Sequence, residues 1–289
     1  MKHMKGMKHK KNKKILSAYL FLSPGMIGIS IFVLIPFIDS VRRSFIAPLD
    51  NKFVGLENYK LVLSNEAFQL AARNTGLFMV ICIPLLLVSS LAITLLLNCM
   101  KRGKYFLKMS FLFPMAIPVA SVVLLWKMFF HQNGLINEFL GHFYIAPIDF
   151  MNTKQAFYVL IFTFLWKNIG YDMVLWLSGL SNIPVSYYEA AKIDGAGALA
   201  RFRYITLPGL VSTIFITAVL SVINSFKVFR EAYMIAGNYP HDSIYMLQHL
   251  FNNWFMNLSI QKMCAGAGLM ALVMIVIILF LNLLNLRRE

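Results

Sequence analysis

Four long stretches of this sequence carry no charged residue: Ile15 to Ile38, Thr75 to Leu97, Tyr204 to Phe226 and Met263 to Leu286, each 23 or 24 residues. A hydrocarbon core about 30 Å thick is crossed by ~20 apolar residues wound as a helix, because a helix satisfies its own backbone hydrogen bonds. A fifth run, Met109 to Trp126, covers 18 residues between Lys108 and Lys127. A sixth, Phe157 to Leu180, is apolar but holds Lys167 and Asp172. The expected fold class is therefore an all-α integral membrane protein with six transmembrane helices. Apolar residues make up 59% of the chain and charged residues 13%, more apolar surface than a soluble enzyme or nucleic-acid binder can bury. The first run is longer than a signal-peptide core and no A-x-A-like site follows it, so it reads as a retained helix.

Charge gives the orientation. The 27 Lys and Arg against 12 Asp and Glu mean little for nucleic acid in such a chain; their distribution across the bilayer matters. With the N-terminus inside, segments 1–14, 98–108, 181–208 and 287–289 hold sixteen basic residues and the outside segments hold seven. Both termini are thus expected in the cytoplasm of a multi-pass cell-membrane protein. Arg42 and Arg43, just after the first run, go against the rule. The domain reading is a basic tail over 1–14, one transmembrane domain over 15–286 and a cytoplasmic end at 287–289. The seven lysines of the tail suit a solvated anchor or attraction to anionic lipid.

Catalytic motifs are missing. The Gly103-Lys104 pair is followed by Tyr105, so there is no P-loop, and neither H-E-x-x-H nor G-x-S-x-G occurs. The six histidines show no ligand spacing, and Cys82, Cys99 and Cys264 form no disulfide framework. No catalytic residue, metal site or cofactor is assigned to this chain. Uphill transport would take its energy from an ion gradient or from another subunit.

The segment 181–208 carries the strongest signal. Ser186 and Glu189 stand in the S-x-x-E spacing of a capping box, so a helix is expected to start there. Asp194-Gly195 breaks it, Asp194 is expected to cap a second helix from about Ala196 to Tyr204, and Pro208 suits the first turn of the next span. Ala190, Ala191, Ile193, Phe202, Ile205 and Leu207 are too many apolar positions for a free loop.

Glu189-Ala190-Ala191, Asp194-Gly195-Ala196, then Phe202, Ile205, Leu207 and Pro208 resemble the EAA loop. That loop marks the membrane subunits of bacterial binding-protein-dependent ABC importers. Phe53-Val54-Gly55-Leu56-Glu57-Asn58-Tyr59 and Asn74-Thr75 resemble the segment before the second span of maltose-type sugar permeases. Trp166, Asn168, Gly170, Gly179-Leu180 and Ile183-Pro184 resemble their fourth span. The resemblance implies the type I importer permease fold. It implies a second permease as heterodimer partner, two ATPase subunits that bind ATP and Mg, and an extracytoplasmic solute-binding protein, lipid-anchored where there is no outer membrane. It also implies that the EAA loop docks on the ATPase, with Glu189 meeting a basic residue there. Ala236-Gly237-Asn238-Tyr239-Pro240 departs from the Gly-Gly-Pro-like turn usual after the fifth span.

Polar groups at membrane depth face a bundle interior or a water-filled path. Trp166, Lys167, Asn168, Tyr171 and Asp172 form one such cluster; Asn224, Ser225, Phe226, Lys227, Arg230 and Glu231 form another. Lys227 and Glu231, four apart, are placed to pair on one helix face, whereas Lys167 and Asp172 need a partner on another helix. Amides and aromatic rings suit a sugar; Lys227 and Arg230 equally suit a phosphate or a sugar acid. Glu57 to Leu63 and Ile244 to Trp254 suit interfacial helices. A stand-alone secondary transporter is the rival reading, but no internal repeat is visible and it leaves the apolar cytoplasmic segment unexplained. An integral membrane enzyme would need a clustered acid, base or metal set.

Overall fold

The computed structural model describes residues 19–48, 50–100 and 102–286. The basic tail 1–14 and the end 287–289 lie outside the described residues. The described chain is helical, and one antiparallel bridge, Ile46 to Phe53, is its only β pairing. It divides into two compact units, one of Met1–Leu63 with Asn257–Ala271 and one of Ser64–Met256 with Leu272–Glu289.

In the first unit, α1 runs over Tyr19–Ser44. Pro36 has no N–H to give the carbonyl four residues back, and the helix widens ahead of it into a π turn, Ser30–Leu34, closed by Ile35 N–H on the Ser30 carbonyl. Arg42 and Arg43 at its end both bond Asp39, at 2.8 and 2.6 Å. The single Asp39 carboxylate thus offsets one of the two positive charges that defy the orientation rule. The motif 53–59 folds back on this end. α2 (Glu57–Leu63) coincides with the expected interfacial helix. From it Asn58 Nδ2 donates to the carbonyls of Ser44 and Ile46 at 2.9 and 3.0 Å, and Tyr59 Oη meets Ser44 Oγ at 2.7 Å.

The second unit is built on α3 (Glu66–Cys99) and α7 (Ala156–Ser181). Asn65 caps α3, its Oδ1 accepting from Phe68 N–H. At 34 residues α3 is longer than a bilayer core requires. Its buried positions, Phe68, Ala71, Thr75, Phe78, Cys82, Leu86, Ser90, Thr94 and Leu97, recur every three or four residues, so one stripe meets α7 and the rest faces outward. Phe78 lies edge-on to Phe164 at 5.4 Å, and Trp176 Nε1 donates to Ser90 Oγ at 2.8 Å. Phe78 beside Phe164 and Ser90 beside Trp176 make the two helices parallel, so residues 66 and 156 share one end of the unit and 99 and 181 the other.

The expected third span is not one helix. α4 (Lys104–Ala116) stops at Ile117, and α5 (Val119–Phe130) starts after Pro118 as its N-cap. Pro118 pushes Ile117 into extended backbone, which a continuous helix from Met109 to Trp126 forbids. α6 is Leu135–Gly141. The stretch expected as the fourth span is helical within a residue at each end, as α7. The fifth starts later than expected: α10 is Val211–Ser225, because Leu210 leaves helical backbone and residues 204–209 belong to the preceding loop. After a 3₁₀ turn, Phe226–Val228, comes α11 (Phe229–Ala236), ended by Gly237. The interfacial segment 244–254 is a 3₁₀ turn, Asp242–Ile244, followed by α12 (Leu247–Met256). α13 is Ile260–Leu286. Among the described residues, five helical stretches are long and apolar enough to cross a membrane: Tyr19–Ser44, Glu66–Cys99, Val119–Gly141, Val211–Met234 and Ile260–Leu283. At 26 residues α7 is about 39 Å long, also enough to span.

Candidate functional site

The segment after α7 forms two short helices joined by a tight turn. α8 is Val185–Ile193, and α9 starts as Ala198–Arg201, widens into a π turn at Phe202–Thr206 and ends as Leu207–Gly209. The capping box is absent. Pro184 occupies the N-cap of α8 and no side chain caps it, so Ser186 lies inside the helix rather than before it. Proline at that position has no side-chain oxygen to offer, so the first N–H groups of α8 go without a side-chain cap. Asp194 does not cap α9 either; Gly197 holds that position without a side-chain bond.

Asp194-Gly195 instead closes α8. Gly195 N–H bonds the Lys192 carbonyl and Ala196 N–H bonds the Ala191 carbonyl at 2.8 Å, with Gly195 at φ +76°. This is a Schellman motif, whose left-handed position glycine fills without a Cβ clash. Pro208 sits in the first turn of the last short piece of α9, not in the span itself. As at Pro36, a π turn precedes it, closed by Leu207 N–H on the Phe202 carbonyl.

The loop is anchored at its two feet. Ile183, Trp176 and Leu210 form a buried cluster against which Tyr188 and Ile205 pack, and Tyr188 Oη meets Thr206 Oγ1 at 2.9 Å. A Cβ on Gly179 would strike Leu210 Cδ2 and Thr213 Oγ1, so its absence lets α7 approach α10 closely. The tip is unlike the feet. Ile193 is 86% exposed and Leu199 79%, with Tyr187 and Tyr204 also exposed. Glu189 is exposed and in no ion pair among the described residues. Ala191, Ala196 and Phe202 are half-buried; Ala190, Leu207 and Pro208 face out. Sequence reasoning missed Leu199, although its place just after the turn opposite Ile193 was a signal.

The second candidate is a cavity of about 270 Å³ where α7 meets the segment 224–231. Six of the residues singled out line it together: Lys167, Asn168, Asn224, Lys227, Arg230 and Glu231. The helix partner required by Lys167 is Glu231, at 2.9 Å, and both side chains are largely buried. The expected Lys227–Glu231 pair does not form; Lys227 Nζ donates instead to Asn224 Oδ1 at 2.8 Å, because Glu231 is committed to Lys167. Asn168 Nδ2 donates to the Phe164 carbonyl and leaves its oxygen for the cavity. Neither Lys227 nor Arg230 has a carboxylate partner among the described residues. The other five lie outside the lining. Trp166 packs on Trp126 at 5.3 Å. Asp172 is buried and accepts from Ser221 Oγ at 3.1 Å. Ser225 is buried and bonds the Val222 carbonyl. Tyr171 and Phe226 are half-buried away from the cavity. Thr163 and Phe164, which do line it, were not singled out, since a threonine bonding its own helix carries no signal in sequence.

At the end of this unit remote from the loop, asparagines hold the backbone. Asn74 Nδ2 donates to the carbonyls of Asp242 and Tyr245 at 2.5 and 2.9 Å, and Thr75 Oγ1 accepts from Leu247 N–H. Asn137 bonds the carbonyls of His131 and Ile148, and Asn253 that of Asn238. The motif Asn74-Thr75 thus seats the segment after α11. The Asp149 carboxylate accepts from Asn152, Met151 and Gln132; the Asn152 amide above all holds it below the usual range. His249 is fully buried among Phe229, Tyr233 and Tyr245, and burial pushes it down to about 4.

The helical chain with an EAA-type loop at one end and a charged cavity between its spans matches known proteins. A family described as the binding-protein-dependent transport system inner membrane component matches residues 86–288. The chain belongs to this family. Its members are membrane-embedded permease subunits of ABC importers and are not themselves enzymes. Among curated relatives, a probable ABC transporter permease protein of Bacillus subtilis, YesP, is 33% identical over 94% of this chain and 90% of its own length. The sulfoquinovosyl glycerol permease SmoG of Agrobacterium fabrum is 32% identical over 79% and 76%. The trehalose/maltose permease MalF of Thermococcus litoralis is 30% identical over 82% of each. Among solved structures, a chain of a bacterial ABC transporter that imports alginate superposes with TM-score 0.83 over 96% of this permease and 98% of that chain, at 22% identity.

Proposed function

We propose that this permease forms half of the translocation path of an ATP-driven importer for a carbohydrate. The observation that carries the reading is the loop 182–208: within a matched permease it presents Glu189, Ile193 and Leu199 to solvent, uncovered among the described residues. An exposed apolar tip beside an unpaired carboxylate fits a groove on a separate ATPase subunit. Two such ATPases, a second permease and a solute-binding protein complete the assembly. A neighbour of known structure is an alginate importer in complex with its pentasaccharide-bound periplasmic protein, which supports the last partner. The relatives' sugars differ from one another, so they support carbohydrate as the class and no particular member.

The six spans are α1, α3, the broken pair α4–α5, α7, α10 with α11, and α13, with both termini and the loop in the cytoplasm. ATP binding draws the two ATPases together. Their motion reaches α7 and α10 through the feet of the loop, where Ile183 and Leu210 are buried. The permease pair then opens outward and receives the sugar from its binding protein, and hydrolysis resets it to face inward. The cavity supplies amide groups from Asn168 and Asn224, while Lys167–Glu231 joins α7 to α11. Lys227 and Arg230, which have no carboxylate partner among the described residues, favour a sugar bearing an acidic group.

Purification of the tagged protein in mild detergent, with mass spectrometry of what accompanies it, tests the reading. Recovery of a second permease and an ATPase is expected, and Glu189→Ala is expected to lose the ATPase alone. Truncating one side of a desolvated charge pair costs about 2–5 kcal/mol. A stable wild-type protein that brings no ATPase refutes the proposal and favours a transporter working alone. Binding-protein screens against neutral and acidic sugars then decide the substrate class.

A further inference from the structure

The end of the second unit from which the 182–208 loop leaves also holds a cleft of about 360 Å³. Its walls are Asn98 at the end of α3, Lys104 and Lys108 on α4, and Leu177, Leu180 and Ser181 at the end of α7. The two lysines are four residues apart, on one face of α4, and both are half-buried. Lys104 Nζ donates to Asn98 Oδ1 at 2.9 Å. No carboxylate lies within ion-pair distance of either lysine among the described residues. The walls have none to offer: from Ala67 to Asn137 the sequence has no Asp or Glu, and the one acid of α7, Asp172, is buried against Ser221. Two neighbouring ammonium groups repel one another. The positive end of α4 adds to their field, since Gly103 at its N-cap brings no side-chain oxygen. Such a site lacks an anion.

The surroundings say which anion. Leu177 and Leu180 make part of the lining apolar. Tyr105 and Phe106, beside Lys104, are 73% and 74% exposed, and exposed aromatic rings at the end of a span mark headgroup depth. A basic pocket between membrane helices at that depth selects a lipid headgroup. We propose that this cleft holds the phosphate of an anionic phospholipid. Lys104 and Lys108 pair with the phosphate, Asn98 and Ser181 supply amide and hydroxyl groups to the headgroup, and an acyl chain lies against Leu177 and Leu180. The site is separate from the cavity at Lys167 and from the tip at Ile193.

The test uses the protein with whatever subunits accompany it. It is delipidated and placed in nanodiscs of phosphatidylcholine, with or without phosphatidylglycerol, and the retained lipid is counted by mass spectrometry. Wild type is compared with Lys104→Gln/Lys108→Gln and with Lys13→Gln/Lys14→Gln, which removes the same charge from the N-terminal tail. Wild type and the tail variant are expected to retain phosphatidylglycerol. The cleft variant is expected to bind it roughly twenty-five-fold more weakly, at about fivefold per lysine. Lys104→Arg/Lys108→Arg keeps the charge and is expected to keep the lipid. Equal loss in the cleft and tail variants means diffuse surface attraction and overturns the site. So does a wild type that retains no phosphatidylglycerol, or loss in the arginine variant. Inorganic phosphate is the second arm: cleft-dependent binding of phosphate without retention of the lipid names the free anion and overturns the lipid. The readout counts lipid and not transport, so it stands even where the importer reading fails.

Discussion

The two ends of the 64–256 unit are held by different means. At the end near Asn74, side-chain amides bond backbone carbonyls: Asn74 to 242 and 245, Asn137 to 131 and 148, Asn253 to 238. Each joins segments distant in sequence or closes a loop, and each gives a loop carbonyl a side-chain donor. At the other end, Tyr188 to Thr206 is the side-chain hydrogen bond between the two helices of the loop 182–208 among the described residues, and the loop carries Ile193 and Leu199 in the open. One end is finished by its own polar groups. The other leaves apolar side chains in the open, and under the proposed function a second protein covers them. A surface that completes itself is built from hydrogen bonds to backbone, whereas a surface awaiting a partner keeps apolar side chains outside at a cost that only binding recovers.

The largest effect is expected where the unfinished end is altered. Ile193→Asp with Leu199→Asp puts two charges where the partner's groove excludes water. Each lost apolar contact is worth about 2 kcal/mol, so the pair weakens docking by roughly a thousandfold or more. ATP-driven uptake in proteoliposomes is expected to vanish while the thermal midpoint of the isolated permease stays within a degree or two, since neither side chain is buried. A fall in that midpoint would show that the tip also holds the fold together and would erase the contrast.

The next effect belongs to the finished end. His249 is pushed down to about 4 by burial, against about 6.5 in the unfolded chain. Between these values the unfolded segment binds the extra proton, so stability is present above pH 6.5 and is lost as the pH falls toward 4. The full loss is about 3 kcal/mol. Hydrogen exchange of residues 245–256 is expected to quicken over that window, and His249→Gln to flatten the profile. The loop, which has no such group, is expected to show no matching change.

The contrast was only half legible in the sequence. A largely apolar run placed α7 within a residue of its ends, although Lys167 and Asp172 interrupt it. The third span failed at Pro118, where a local backbone restriction outweighed an unbroken apolar pattern. The loop's turn was legible at Gly195, since only a special φ asks for glycine there. Its caps were not: Ser186 had the right spacing to Glu189, but Pro184 had already started the helix. The Lys167–Glu231 pair could be anticipated only as a missing partner, because 64 residues separate the two and local spacing offered Lys227 instead. The asparagine clasps left no trace in the sequence beyond the Asn58 and Asn74 motifs, for a side chain that bonds a distant carbonyl looks like any polar loop residue.

A smaller effect is expected from Asn74→Ala. It removes two hydrogen bonds, to the carbonyls of Asp242 and Tyr245, for about 2 kcal/mol. Proteolysis between 236 and 246 is expected to rise severalfold, with ATPase recruitment intact. Recruitment lost together with that protection would mean that the two ends share one cooperative unit, and the comparison would have to be abandoned.

The smallest effect tests whether the unfinished end needs its shape as well as its surface. Gly195 stands at φ +76°, where a Cβ costs about 1–2 kcal/mol and asparagine is better tolerated than alanine. Gly195→Ala removes no apolar contact, no charge and no buried group; it only strains the turn that sets α8 against α9. Uptake is expected to fall several-fold in Gly195→Ala and less in Gly195→Asn, with the thermal midpoint falling by only a few degrees. Wild-type uptake in both variants would mean that the partner reshapes the loop on docking, so that Ile193 and Leu199 matter but their angle does not. A graded loss in the order of left-handed tolerance would mean that the angle is preset by the Schellman turn. The exposed tip would then be a rigid knob whose geometry the chain fixes before any partner arrives.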